Sequence, residues 1–151
     1  MRFSLQREAL LKPLQQVVGV VERRQTLPVL ANLLVAVSDG RVSFTGTDLE
    51  VEMVATVPAG TSEAGEITIP ARKLFDICRA LPDGVSIDVR LNGDRVVVTA
   101  GRSRFTLATL PASEFPVIES IETVDKVELP EATLKNLMDR TAFAMAHQDV
   151  R

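Results

Sequence analysis

Three carboxylates at alternating positions, Asp48, Glu50 and Glu52, form the densest cluster of catalytic residue types in the chain. Shared on one strand face, they can hold a metal ion or divide acid and base roles in a hydrolase. The same alternation has a plainer reading. It is the polar side of a half-buried strand whose other side carries Leu49, Val51, Met53, Ala55 and Val57. The single histidine, His147, has no cysteine neighbour at zinc-ligand spacing, and it leaves a Ser-His-Asp reading without corroboration. Cys78, the only cysteine, falls on the apolar stripe of a predicted helix and reads as a small buried hydrophobe. Gly40, Gly46 and Gly93 sit in hairpins or strand ends rather than in a phosphate-cradling loop. The chain is therefore read as non-catalytic, with no cofactor and no metal.

Basic residues carry a different chemistry. Between Met1 and Arg24, Arg2, Arg7, Lys12, Arg23 and Arg24 stand against Glu8 and Glu22 only. Between Ala71 and Ala80, Arg72, Lys73 and Arg79 stand against Asp76. The whole chain has a formal net charge of −3, so the charge is segregated by element, and the sign on the helices matters more than the total. On a helical wheel Lys12, Gln15, Gln16 and Arg23 face away from the apolar stripe of one helix, and Arg72 and Arg79 from that of another. Two such faces side by side would neutralise phosphates without reading base edges, giving sequence-independent, salt-sensitive binding. With no Tyr or Trp to stack on bases, a single-strand platform is disfavoured. The segment Arg102–Leu110 carries Arg102 and Arg104 in alternation with Ser103 and Phe105, and Leu107 continues the phase of Phe105. If it is an edge strand, its charges protect against misassembly, or its apolar residues anchor a partner edge.

The elements that position these residues follow from a repeat. FSLQREAL at Phe3–Leu10, ITIPARKL at Ile67–Leu74 and VELPEATL at Val127–Leu134 each show two apolar residues two apart, then a Leu five residues later. Alternation that switches to helical spacing marks a strand running into a helix. The first helix is expected over Arg7–Val21, with Pro13 forcing a late start or a kink. The second begins with Pro70 at its first position. Three strands follow each: Asn32–Gly46, hinged at Asp39-Gly40, and then Leu49–Val57; Val85–Leu91, a turn at Asn92-Gly93, Asp94–Ala100 and Arg102–Leu110. The result is two β-α-β-β-β units. The proline-bearing acidic segment Pro111–Asp125 reads as a linker. The third cassette opens a unit, with a helix near Glu131–Phe143, whose strands do not follow.

At 151 residues, 46% hydrophobic and 25% charged, the chain has room for one packed domain and the start of another. No apolar run reaches the ~18 residues of a membrane span, and the N-terminus lacks the pattern of a signal peptide. Cytoplasmic residence is expected, since a lone cysteine forms no internal disulfide.

Six segments, LLKPLQQV, TLP-L-NLL, GTDLE-EM, PARK-FDICR-LP, GRSRF-L-TLP and MAHQDVR, resemble the bacterial DNA polymerase III β sliding clamp family, in order along essentially the whole chain. The resemblance implies an α+β DNA-clamp fold, with two β-α-β-β-β units per domain and helices on one face of antiparallel sheets. It implies a first domain over 1–119, a linker over 120–126 and the opening of a second domain over 127–151. The family's proteins close head-to-tail as homodimer rings around duplex DNA and tether polymerases. By resemblance, Arg24, Arg72 and Gln148 contact DNA, with Lys12 and Arg79 in support. Lys73, Arg102, Arg104, Phe105 and Leu107 match the ring-closing interface, and His147 and Arg151 lie near the pocket for partner peptides. The implied partners are the DNA polymerase III core, the clamp loader, and other clamp-binding polymerases and repair proteins. The alternative is an interaction scaffold that assembles through its edge strand without binding DNA.

Overall fold

The computed structural model describes residues 1–21, 27–116 and 127–145. The chain divides into two units, Met1–Ile118 and Glu119–Arg151.

In the first unit, β1 (Arg2–Gln6) runs directly into α1 (Arg7–Val17), and β2 (Asn32–Ser38), β3 (Arg41–Thr47) and β4 (Glu52–Pro58) follow. After the two-residue β5 (Ser62–Glu63), the pattern repeats as β6 (Gly65–Pro70), α2 (Ala71–Ala80), β7 (Ser86–Asn92), β8 (Arg95–Ala100) and β9 (Ser103–Ala108). The strands form two antiparallel sheets, ordered β5-β1-β7-β8-β9 and β4-β3-β2-β6. Each cassette strand therefore pairs with the other unit's strands, β1 with β7 and β6 with β2. Neither β-α-β-β-β unit completes a sheet from its own residues.

Both sheets and both helices share one core. Phe3 from the first sheet meets Phe44 from the second edge to face, with ring centroids 6.2 Å apart, and both rings are fully buried. Leu10, Leu14 and Val17 of α1 and Ala71, Leu74 and Cys78 of α2 are buried in the same cluster. Full burial of a Leu contributes about 1.5–3 kcal/mol, so the apolar stripes fix both helices. Burial also pushes the Cys78 thiol up to about 12, which keeps it protonated and inert.

Several local expectations change. α1 starts at Arg7 and runs through Pro13, whose ring is buried on the core face. The missing N–H forfeits a bond to the Ala9 carbonyl, and the burial offsets part of that cost. The helix ends at Val17, four residues early. A β-branched run interrupted by Gly19 propagates a helix poorly, and Val18, Val20 and Val21 instead enter the core through a turn. Pro70 closes β6 and caps α2, rather than occupying its first turn. Between β2 and β3, Asp39 and Gly40 take the expected left-handed geometry, with φ of 50° and 69°.

The segment 111–116 is not linker-like. It forms a turn at Ala112–Glu114 and buries Phe115 against Val29 and Leu30. A buried polar knot lies beside it. The Thr68 hydroxyl donates to the Leu110 carbonyl at 2.8 Å and accepts from the Asn32 amide at 2.8 Å and from the Leu110 N–H at 3.1 Å. The Thr68 hydroxyl, bonded to three groups at once, ties the chain after β9 to the second sheet.

In the second unit, α3 spans Glu131–Thr141 and a 3-10 turn spans Ala142–Ala144. The expected strand at Val127–Leu129 does not form: these residues alternate correctly but have no strand partner among the described residues. All the described residues of this unit are exposed, including Leu134, Leu137, Met138 and Phe143. No helix among the described residues is long and apolar enough to cross a membrane.

Candidate nucleic-acid interface

The two helices of the first unit run antiparallel, held by a reciprocal arginine latch. Arg7, at the start of α1, reaches the end of α2, donating from Nε to the Cys78 carbonyl at 2.9 Å and from Nη2 to the Arg79 carbonyl at 3.3 Å. Arg72, at the start of α2, donates from Nη2 to the Val21 carbonyl, beyond the end of α1, at 2.8 Å. A helix C-terminus presents unpaired carbonyls and partial negative charge, and the Arg7 guanidinium satisfies both at the end of α2, whereas Arg72 ties α2 to the chain that follows α1. Glu8 adds to the first contact by accepting the Gly84 N–H at 2.8 Å, and that bond holds its carboxyl below the usual range.

With the apolar stripes buried, α1 exposes Lys12, Gln15 and Gln16, and α2 exposes Arg72, Lys73, Asp76 and Arg79. The basic residues are not equivalent. Lys12 has no ion pair or side-chain hydrogen bond among the described residues. Arg79 pairs with Asp76 at 3.2 Å and lies 5.7 Å over the Phe75 ring, so part of its charge is already used. Arg72 keeps the remaining N–H groups of its fork beyond the Val21 bond. Sequence reasoning counted Arg7 only as a charge. Its structural role had a faint signal, a basic residue on the first turn of a helix whose outward face is otherwise amide-rich.

Arg24, Gln148, His147 and Arg151 lie outside the described residues. β9 is an edge strand. Arg102, just before it, and Arg104 on it are exposed, whereas Phe105 is half-buried and Leu107 is buried in this unit's own core.

The carboxylate cluster does not share a strand face. β4 begins only at Glu52, and the residues before it form a tight loop. Asp48 Oδ1 accepts the N–H groups of Glu50 at 2.9 Å and Val51 at 2.7 Å, which lowers the Asp48 pKa. The Thr47 hydroxyl accepts the Leu49 N–H at 3.0 Å and donates to the Val51 carbonyl at 2.8 Å. This network holds Leu49 at a φ of 81°, an unfavourable value for a branched residue. Asp48 is thereby committed to loop geometry, and no group of three or more metal-ligating side chains converges among the described residues.

A family model described as the DNA polymerase III beta subunit, N-terminal domain, matches residues 1–119. The beta sliding clamp of Salmonella typhimurium is 56% identical over 152 aligned residues, covering all of this chain and 42% of the relative. That of Pseudomonas aeruginosa is 57% identical, with 41% of the relative covered. A crystal structure of the Pseudomonas aeruginosa clamp superposes with a TM-score of 0.95 over 99% of this chain and 41% of that one. A Caulobacter crescentus clamp at 41% identity superposes with 0.94 over the same shares. The chain thus spans about two fifths of the length of the relatives it matches, and its first unit has their α+β clamp fold. On the family match, the identities and the superposition together, the chain belongs to the DNA polymerase III beta subunit family, the beta sliding clamps.

Proposed function

We propose that this chain is the N-terminal part of a non-catalytic processivity factor, one that tethers a replicative polymerase by encircling duplex DNA as a homodimer ring. The observation that carries this reading is the paired exposed face of α1 and α2, where Lys12, Gln15, Gln16 and Arg72 stand together on antiparallel helices locked to one core. Such a face makes a few phosphate contacts and no base readout, which is what sliding requires: enough attraction to stay near the duplex and no sequence at which to stop. Arg24 and Gln148 join this face by family resemblance, and Arg79 supports it more weakly because Asp76 shares its charge. The domain boundaries follow the same reading: 1–119 as the first clamp domain, 120–126 as linker and 127–151 as the opening of the second.

In this reading the ring closes along the β9 edge, with Arg102, Arg104 and Lys73 of α2 as its accessible charges and Phe105 and Leu107 as its apolar residues. The polymerase III core, the clamp loader, and other clamp-binding polymerases and repair proteins are its partners in the cytoplasm, near His147 and Arg151.

The test uses a protein of full clamp length. Lys12→Ala combined with Arg24→Ala lowers duplex affinity and reduces the slope of log K against log salt by about 1.8, at about 0.9 for each phosphate no longer neutralised. Sequence preference stays absent. An unchanged slope overturns the DNA-facing assignment. Lys73→Glu combined with Arg102→Glu, both at exposed positions, shifts sedimentation from dimer to monomer if β9 closes the ring.

A further inference from the structure

The chain after β9 lies along the open edge of the second sheet and is attached there at two points. β6 is the outermost strand of that sheet, and an isolated antiparallel bridge joins its Thr68 to Leu110. The Thr68 N–H donates to the Leu110 carbonyl at 3.1 Å, beside the bonds made by its hydroxyl. The second attachment is Phe115, 4% exposed, against Val29 and Leu30 of the 3-10 turn Pro28–Ala31. Between the two, Pro111, Ser113 and Glu114 are exposed. The backbone bonds of this stretch are its own, from the Glu114 N–H to the Pro111 carbonyl at 3.1 Å and from the Phe115 N–H to the Ala112 carbonyl at 3.0 Å.

These attachments are separable from the rest of the domain. Phe115, Val29 and Leu30 form a buried cluster of their own, with Leu34 and Leu110 packed against it, apart from the cluster that holds both helices and both sheets. Lifting Phe115 away uncovers the turn Pro28–Ala31 and leaves the main core closed. The Asn32 amide keeps its bond to the Thr68 hydroxyl, and the freed backbone groups of Thr68 and Leu110 meet water at a sheet edge. Upstream the chain has a firm stop. Thr109 donates its N–H at 3.3 Å and its hydroxyl at 2.7 Å to the Asp94 carbonyl in the β7–β8 turn, which holds the end of β9.

We propose that Leu110–Phe115 is a detachable strap, hinged at Thr109, that opens together with the turn Pro28–Ala31 while both sheets and both helices stay folded. Local opening of this kind belongs to segments tied down by few buried apolar contacts. Docked, the strap covers the β6 edge, whose unpaired backbone groups would otherwise accept another strand. Undocked, it adds its own extended length, about 20 Å, to the reach of whatever follows Phe115. The opening involves described residues of the first unit alone and does not depend on ring formation or on DNA binding.

Hydrogen exchange of the full chain at neutral pH, followed by mass spectrometry, tests the strap. Peptides over Leu110–Phe115 and over Pro28–Ala31 are expected to share one protection factor, at least about tenfold below that of β3 and β8. Phe115→Ala lowers protection in both segments together by about tenfold or more and leaves β3 and β8 as they were. Phe115→Leu, which keeps an apolar side chain in the site, lowers both by a smaller factor. Three results overturn the proposal. Exchange of the two segments in step with β3 and β8 makes the opening global. A Phe115→Ala effect on one segment without the other divides the unit. A Phe115→Ala chain that does not fold makes Phe115 part of the main core.

Discussion

Replacing Arg7 with Met tests whether the helix pair is held by carbonyl capping rather than by the surface ion pair that accompanies it. The Arg7 side chain is 13% exposed, and its partner Asp83 is 90% exposed. A pair with so solvated a carboxylate contributes under about 1 kcal/mol. The bonds to the Cys78 and Arg79 carbonyls are different. They are charge-assisted, and losing the donor strands the end of α2, at about 1.5 kcal/mol for each bond at the lower end of the usual range. The expected loss is therefore about 3 kcal/mol, or about 12 °C in Tm at about 4 °C per kcal/mol for a domain of this size. Urea unfolding followed by far-UV circular dichroism measures it. Arg7→Lys keeps the charge but not the fork, and recovers less than half of the loss. Asp83→Asn costs under about 1 kcal/mol. A loss below about 1 kcal/mol for Arg7→Met, or an Asp83→Asn loss equal to it, refutes the capping argument.

Gly46→Ala places a Cβ 3.0 Å from Val17 Cγ1 and 3.1 Å from Leu33 Cδ2 and Val20 Cγ1, all in the core. Overpacking there costs about 1–3 kcal/mol, read as a lower urea midpoint, whereas Gly60→Ala, with nothing within 4 Å, leaves the midpoint in place. Asp48 is stabilised as the carboxylate, so its contribution is present above the ordinary value of 3.8 and is lost as pH falls through its lower folded pKa. Asp48→Asn keeps an acceptor for the two N–H groups. Its deficit against the parent chain is therefore steady near neutral pH and shrinks as pH falls below 3.8, and a deficit that does not shrink on acidification contradicts the assignment.

Much of this molecule was legible in its sequence. The alternation in Phe3–Leu5 and Ile67–Ile69 marked the cassette strands because a strand has a period of two whatever its partner. The stripes of Leu10, Leu14 and Val17, and of Leu74 and Cys78, marked the buried helix faces in the same way. The reading went wrong where local pattern and local geometry part. Leu49 and Val51 continue the alternation of β4, yet Asp48 and Thr47 bond the backbone into a loop that turns both side chains to solvent. Val127–Leu129 alternates as well as β1 does, but a strand exists only with a neighbour to pair with.

The sequence by itself determined which face of α1 and of α2 is apolar and which charges each helix carries, because hydrophobic period and charge are properties of a single segment. Only the tertiary structure decided that β1 and β6 exchange sheets, that Arg7 caps the end of α2 and that Arg72 holds the chain beyond α1. Each of these depends on which distant segments become neighbours. Periodicity constrains the face a residue presents and is silent about what that face will meet.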